Sequence, residues 1–147
     1  MTITIDIANE QDVVPLDEQR IRDAVLGILD DESIGEATVS VAVVDNPTIS
    51  RLQGEYLGDD SPTDVLSFVL ERGESSLEGE VIVSGETAAS AAPQYGWPAE
   101  DELLLYVIHG TLHLTGYEDT TAESREEMRR REQAHLARFR LTGRYDD

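Results

Sequence analysis

Cysteine and lysine are both absent from this 147-residue chain, and its aromatic content is one Trp, five Tyr and two Phe. The missing cysteine excludes a disulfide framework and any thiolate metal site, so a bound metal has only His, Asp and Glu to hold it. The missing lysine leaves eleven Arg as all of the cations against 31 Asp and Glu, for a formal charge of −20. That balance excludes a broadly basic nucleic-acid coat. No stretch approaches the ~18 uninterrupted apolar residues of a membrane span, and the start, Met1-Thr2-Ile3-Thr4-Ile5-Asp6, lacks a basic region ahead of an apolar run. The expectation is a cytoplasmic protein with no membrane partner. At 39% hydrophobic residues the chain is too apolar for a disordered acidic tail. Its length suits one domain, 1–147, with a substantial core.

Two readings of the acidity compete. Excess carboxylate without Lys suits a halophilic-type protein, because screening cuts the reach of repulsion to ~3 Å at molar ionic strength. A mildly acidic protein of ordinary solvent is the plainer alternative, and Arg for Lys by itself also follows from genome base composition. On the first reading, self-repulsion loosens the fold in dilute buffer. The expected result is a melting temperature that climbs from dilute to molar KCl; equal values at both, by calorimetry, reject that reading.

Thr2 to Ile7 alternates polar residues with Ile, as a half-buried strand does. From Leu16 the period becomes 3.6, with Ile21, Val25, Ile28 and Leu29 on one face, which predicts a helix to about Asp31. Thr38 to Val44 is a β-branched run, and Ile49 to Tyr56 suits a short helix. A loop at 58–62 leads into a strand over Val65 to Leu70, which a turn at Arg72 to Ser76 joins to its hairpin partner, Gly79 to Val83. Thr87 to Gln94 is Ala-rich and helical. Pro98 followed by Glu100, Asp101 and Glu102 starts a helix whose run Leu103 to Ile108 is apolar all round, so it is expected at the centre, with Gly116 as its stop. Thr120 to Glu123 has the spacing of a capping box opening a charged helix to about Arg140, with Glu126–Arg130 and Glu127–Arg131 as i,i+4 pairs.

Two of the three histidines, His109 and His113, stand one helical turn apart near the end of the central helix. Gly116 breaks that helix, and Asp119 follows where a turn can swing it back toward the rings. The segment thus offers two nitrogens and one carboxylate oxygen with an open fourth position, the composition of a catalytic zinc site. The plainer possibility is two locally bonded helix histidines and a turn Asp. Two unpaired imidazoles in so apolar a helix are costly without a partner, which favours the metal. The spacing H-x-x-x-H-x-x-G-x-x-D also fits the metzincin peptidases with Asp in the last place. In those enzymes a Glu general base follows the first His; here it is Gly110, which disfavours peptide hydrolysis.

Residues 109 to 119, HGTLHLTGYED, resemble the H-G-x-L-H-L-x-G-Y-D-H motif of the bacterial YbeY proteins. Ser61 to Phe68 (SPTDVLSF) resembles the P-T-D-V-L-S-F stretch of the same family, and Gly79 to Ser84 its G-D-I-x-I-S strand. The three blocks keep the family's order and spacing across nearly the whole chain. The resemblance implies an α+β fold, a small mixed sheet of about four strands packed with helices and the metal motif at the end of a central buried helix. It implies a zinc-dependent endoribonuclease of single-stranded rRNA, acting in 16S 3′-end maturation and ribosome quality control, with ribosomal proteins as partners and no role for DNA. Two positions depart from the pattern. Asp119 replaces a third His ligand, with Glu118 beside it as a rival ligand or base, and the charge of Asp makes a zinc-bound water less acidic than a third imidazole would. Leu57 stands where the family has Arg after the Tyr matching Tyr56.

The resemblance also places Asp64 and Ser67 at the substrate cleft; a turn cap and a plain strand residue are the equal alternatives. Arg129, Arg130 and Arg131, with Arg138, Arg140 and Arg144, are the one basic concentration, but interleaved Glu126, Glu127 and Glu132 favour a solvated, salt-bridged face. His135 is read as a surface residue and Trp97 as a packing anchor. The leading function is the zinc ribonuclease, with His109, His113 and Asp119 as ligands and one Zn2+ per chain. A ribosome-associated scaffold with a structural metal comes second and a metallopeptidase third.

Overall fold

The computed structural model describes residues 2–57 and 63–142; the side chain of Leu57, the expected loop at 58–62 and Arg144 lie outside them. The elements are β1 (Thr2–Asn9), α1 (Glu18–Asp31), β2 (Glu36–Val44), α2 (Asn46–Leu57), β3 (Val65–Arg72), β4 (Ser76–Ser84), α3 (Gly85–Tyr95), α4 (Ala99–Leu114) and α5 (Ala122–Ala137). One mixed sheet has the order β1-β2-β4-β3. β1 runs parallel to β2 and β2 to β4, while β3 returns antiparallel on β4 as the edge strand, with a register shift between Val69 and Glu71. The α+β class and the hairpin expected from the sequence are what the chain forms.

Period-two alternation puts Val39, Val41 and Val43 of β2 and Val81 and Val83 of β4 on one face, against Val25 and Leu29 of α1 and Leu103, Tyr106 and Val107 of α4. The other face of α4, with Leu104, Leu105, Ile108 and Leu112, packs on Ile28 of α1 and Met128 and Leu136 of α5. α4 is therefore buried on two sides, as its all-round apolar run requires, and each such buried aliphatic stabilises the fold by about 1.5–3 kcal/mol relative to exposure. α2 covers the opposite sheet face through Ile49, which meets Val44, Leu66 and Ile82.

Helix ends depart from expectation in detail. Pro98 caps α4 from outside with ψ 152, one position before the first turn. The capping box of α5 is Thr121 with Ser124, one residue later than the Thr120–Glu123 spacing suggested, because the Ser124 hydroxyl reaches the Thr121 amide and accepts its N–H. Glu127 takes both Arg130 and Arg131. The largest correction concerns α5 itself. Met128, Glu132, His135 and Leu136 form a buried stripe at i, i+4, i+7 and i+8, so His135, expected at the surface, is 2% exposed and Glu132 is not part of a solvated face.

Candidate active site

Three local devices set the site. Gly110 is where α4 approaches the sheet: a Cβ there would lie 2.7 Å from Val81 Cγ1, 2.9 Å from Val65 Cγ2 and 3.0 Å from Ser67 Oγ. The absent side chain lets the helix sit against β3 and β4, and the Ser67 hydroxyl donates to the Gly110 carbonyl at 2.9 Å. His109 and His113 thereby reach the β3 edge of the sheet. No room exists at 110 for the Glu of a peptidase, which agrees with the case against peptide hydrolysis. The third device is the end of α4. Gly116, at φ 112, continues the chain past Thr115 so that its N–H reaches the His113 carbonyl and the Tyr117 N–H reaches Leu112. This double bond pattern reverses the chain and carries Asp119 back over the rings.

The result is a triangle of donor atoms. His109 Nε2 and His113 Nε2 are 3.0 Å apart, and Asp119 Oδ2 stands 3.4 Å from the first and 3.5 Å from the second. Ligands at about 2.0–2.1 Å from a tetrahedral zinc stand about 3.3 Å from one another, so the three separations are those of a zinc triad. The tautomers agree. His113 Nδ1 donates to the Tyr117 carbonyl at 2.9 Å, and His109 Nδ1 donates to the Glu132 carboxylate at 2.5 Å. Both Nε2 atoms then carry lone pairs, and three lone-pair donors facing one point repel unless a cation or proton sits among them. The residues present fit a metal ion.

Burial alone would lower the His109 pKa. The hydrogen bond and charge of Glu132, with the charges of Asp119 and Asp64, outweigh it and hold the imidazole above its ordinary range. In the metal-free protein the protonated pair stabilises the fold below about pH 6.5, and that contribution is lost as the pH rises through the raised value. Zinc and this proton compete for the same nitrogen. The expected outcome is zinc affinity that falls steadily as the pH drops through and below the raised His109 value, read by competition with a chromophoric chelator; affinity independent of pH across that window contradicts it.

The profile of the family described as Endoribonuclease YbeY matches residues 6–140. The chain belongs to the YbeY family. It is 36% identical to Endoribonuclease YbeY of Desulfitobacterium hafniense, over 93% of this chain and 98% of that protein. Its identity to the Geobacillus thermodenitrificans protein of the same name is 38%, over 97% and 99% of the two chains. The solution structure of a Thermotoga maritima protein superposes with a TM-score of 0.62 at 27% identity, covering 99% of this chain and 97% of that one.

In this YbeY chain a cleft of about 630 Å³ is lined by His109, His113, Asp119, Glu118, Asp64 and Ser67, the residues the sequence offered for the metal, base and substrate roles. Among the described residues His109, His113 and Asp119 form a cluster able to hold a metal ion, while Glu118 is an exposed wall residue. Sequence reasoning missed two contributors. Glu132 comes from α5, and the stripe from Met128 to Leu136 was the available signal for its burial. Tyr117 lends His113 its backbone carbonyl, and is itself anchored by its hydroxyl donating to Glu32 at 3.0 Å and by Arg131 over its ring at 5.4 Å. Burial, and the Glu32 carboxylate accepting that proton, push the Tyr117 hydroxyl pKa up.

Proposed function

We propose that this YbeY-family chain is a zinc-dependent endoribonuclease of single-stranded RNA, working in the cytoplasm on rRNA: 16S 3′-end maturation and ribosome quality control in company with ribosomal proteins. The family assignment makes it an enzyme, a hydrolase acting on RNA. The observation that carries the metal reading is the triangle of His109, His113 and Asp119 donor atoms at tetrahedral-ligand separations. Among the described residues no helix is long and apolar enough to cross a membrane, which suits a cytoplasmic site.

The roles follow from placement. His109, His113 and Asp119 hold the ion, and Glu132 and the Tyr117 carbonyl fix the two ring orientations. When bound, zinc supplies a Lewis acid for a phosphoryl oxygen and lowers the pKa of a water at the open position. Asp119 tempers that acidity by its charge. In this reading Glu118, exposed on the same wall, accepts the proton, and Asp64 and Ser67, which line the same cleft, face the RNA strand. The test is metal analysis with cleavage of single-stranded RNA. Stoichiometric zinc, with cleavage stopped by a chelator and restored by zinc, is expected; zinc without cleavage moves the function to a scaffold, and no bound metal rejects the zinc site.

A further inference from the structure

The cleft wall is mostly neutral or acidic, with Asp64, Glu118 and Asp119 on it, and Arg72 is its single Arg among the described lining residues. A chain of formal charge −20 repels a polyanion, so any RNA strand lying beside three carboxylates needs a local cation. Arg72 is placed to be that cation on the β3 side of the triad; Arg125 and Arg129 line a separate, adjoining cavity with His109 and Asp119 on the α5 side. Arg72 ends β3. From there its side chain crosses to the end of α4, where Nη2 donates to the Leu114 carbonyl at 2.5 Å. Nη1 lies over the turn, 3.8 Å from where a Cβ on Gly116 would stand. The Leu114 carbonyl is one of those that a helix C-terminus leaves without an intrahelical partner, and it carries the negative end of the dipole. The bond therefore holds the guanidinium in one orientation while using one of its five N–H donors. An exposed, oriented guanidinium in the same cavity as the donor triad has the geometry to take two phosphate oxygens at once.

We propose that Arg72 is a phosphate-binding residue of the cleft, receiving the backbone of an RNA strand that passes the donor triad. The proposal rests on the RNA reading above. A purely structural alternative is that Arg72 only caps α4, and two substitutions separate the roles. Arg72→Gln keeps a donor toward Leu114 and loses the charge; Arg72→Lys keeps the charge.

The experiment is fluorescence anisotropy of a labelled single-stranded 2′-O-methyl oligoribonucleotide, titrated with zinc-loaded protein over a series of KCl concentrations, with melting temperatures alongside. Arg72→Gln is expected to weaken binding about tenfold at low salt, as loss of one charge-assisted contact does. It should also reduce the slope of log affinity against log salt by about 0.7, the share of one phosphate on a single strand. Arg72→Lys should keep the slope, and Arg130→Ala, which removes the same charge from the exposed face of α5, should behave as the unsubstituted protein. A lower melting temperature in Arg72→Gln with affinity and slope unchanged overturns the proposal in favour of the cap. Equal weakening in Arg130→Ala overturns it in favour of net charge. If the unsubstituted protein neither binds nor cleaves RNA, the RNA reading fails and Arg72 falls with it; if it cleaves while Arg72→Gln binds unchanged, Arg72 fails alone.

Discussion

Replacing His113 by Ala is expected to leave a folded protein that retains almost no zinc and cleaves RNA about 10³-fold more slowly or worse. Two donors remain of three, which is below the number that holds catalytic zinc. Losing several kcal/mol of charge stabilisation at about 1.4 kcal/mol per decade gives the rate effect. Folding is a small part of the change, because the His113 side chain is 28% exposed and points into the cleft, away from the Leu112 and Leu114 contacts that hold α4. Metal analysis, near-ultraviolet circular dichroism and a single-turnover cleavage assay on the same preparation check it. Full zinc occupancy with normal cleavage would remove His113 from the ligand set.

Glu132→Gln and Glu132→Ala should lower zinc affinity about 10- to 100-fold, the usual cost of losing the partner behind a ligating His. Gln keeps the volume in a site where the Glu132 side chain is 6% exposed, and its amide oxygen still accepts from His109 Nδ1, so it belongs at the mild end; Ala leaves the ring without that acceptor. Charge matters as well as orientation. Glu132 is the chief contributor holding the His109 pKa up, so the Gln variant should release the His109 proton at a lower pH in metal-free protein, visible as a displaced imidazole titration by NMR. Unchanged affinity together with an unchanged titration would show that Glu132 only fills space.

Much of this arrangement was readable along the chain wherever its cause is local. The period-two runs of β2 and β4, the apolar run of α4 and the spacing of His109, His113, Gly116 and Asp119 all act through neighbours within about two turns. They appear in the structure at their expected places. What was misjudged depended on partners distant in sequence. Glu132 and His135 look like members of a charged, solvated face because their neighbours in sequence are Arg and Glu. The packing of α5 on α1 and α4 turns their stripe inward. Gly110 looked like a missing catalytic Glu, whereas its immediate role is steric and set by Val65, Ser67 and Val81 from two strands.

By itself the sequence determined the absence of thiolate chemistry, the acidity, the α+β alternation and two His one helical turn apart with Glu118 and Asp119 just beyond as carboxylate candidates, because each follows from residue type or from short spacing; the structure gathers Asp119, not Glu118, with the two rings. Only the tertiary structure decided that Glu132 stands behind His109, that the Tyr117 carbonyl orients His113 and that Arg72 shares the cleft with them. Glu132 and His109 are 23 residues apart and Arg72 and Leu114 are 42, so nothing local encodes those two meetings, whereas Tyr117 follows His113 by four residues and is brought to it by the Gly116 turn. The physical reason is burial. Only when α4 is closed between the sheet and α5 does the Glu132 carboxylate lose water behind His109, and only then does the end of β3 bring the exposed Arg72 guanidinium to the Leu114 carbonyl.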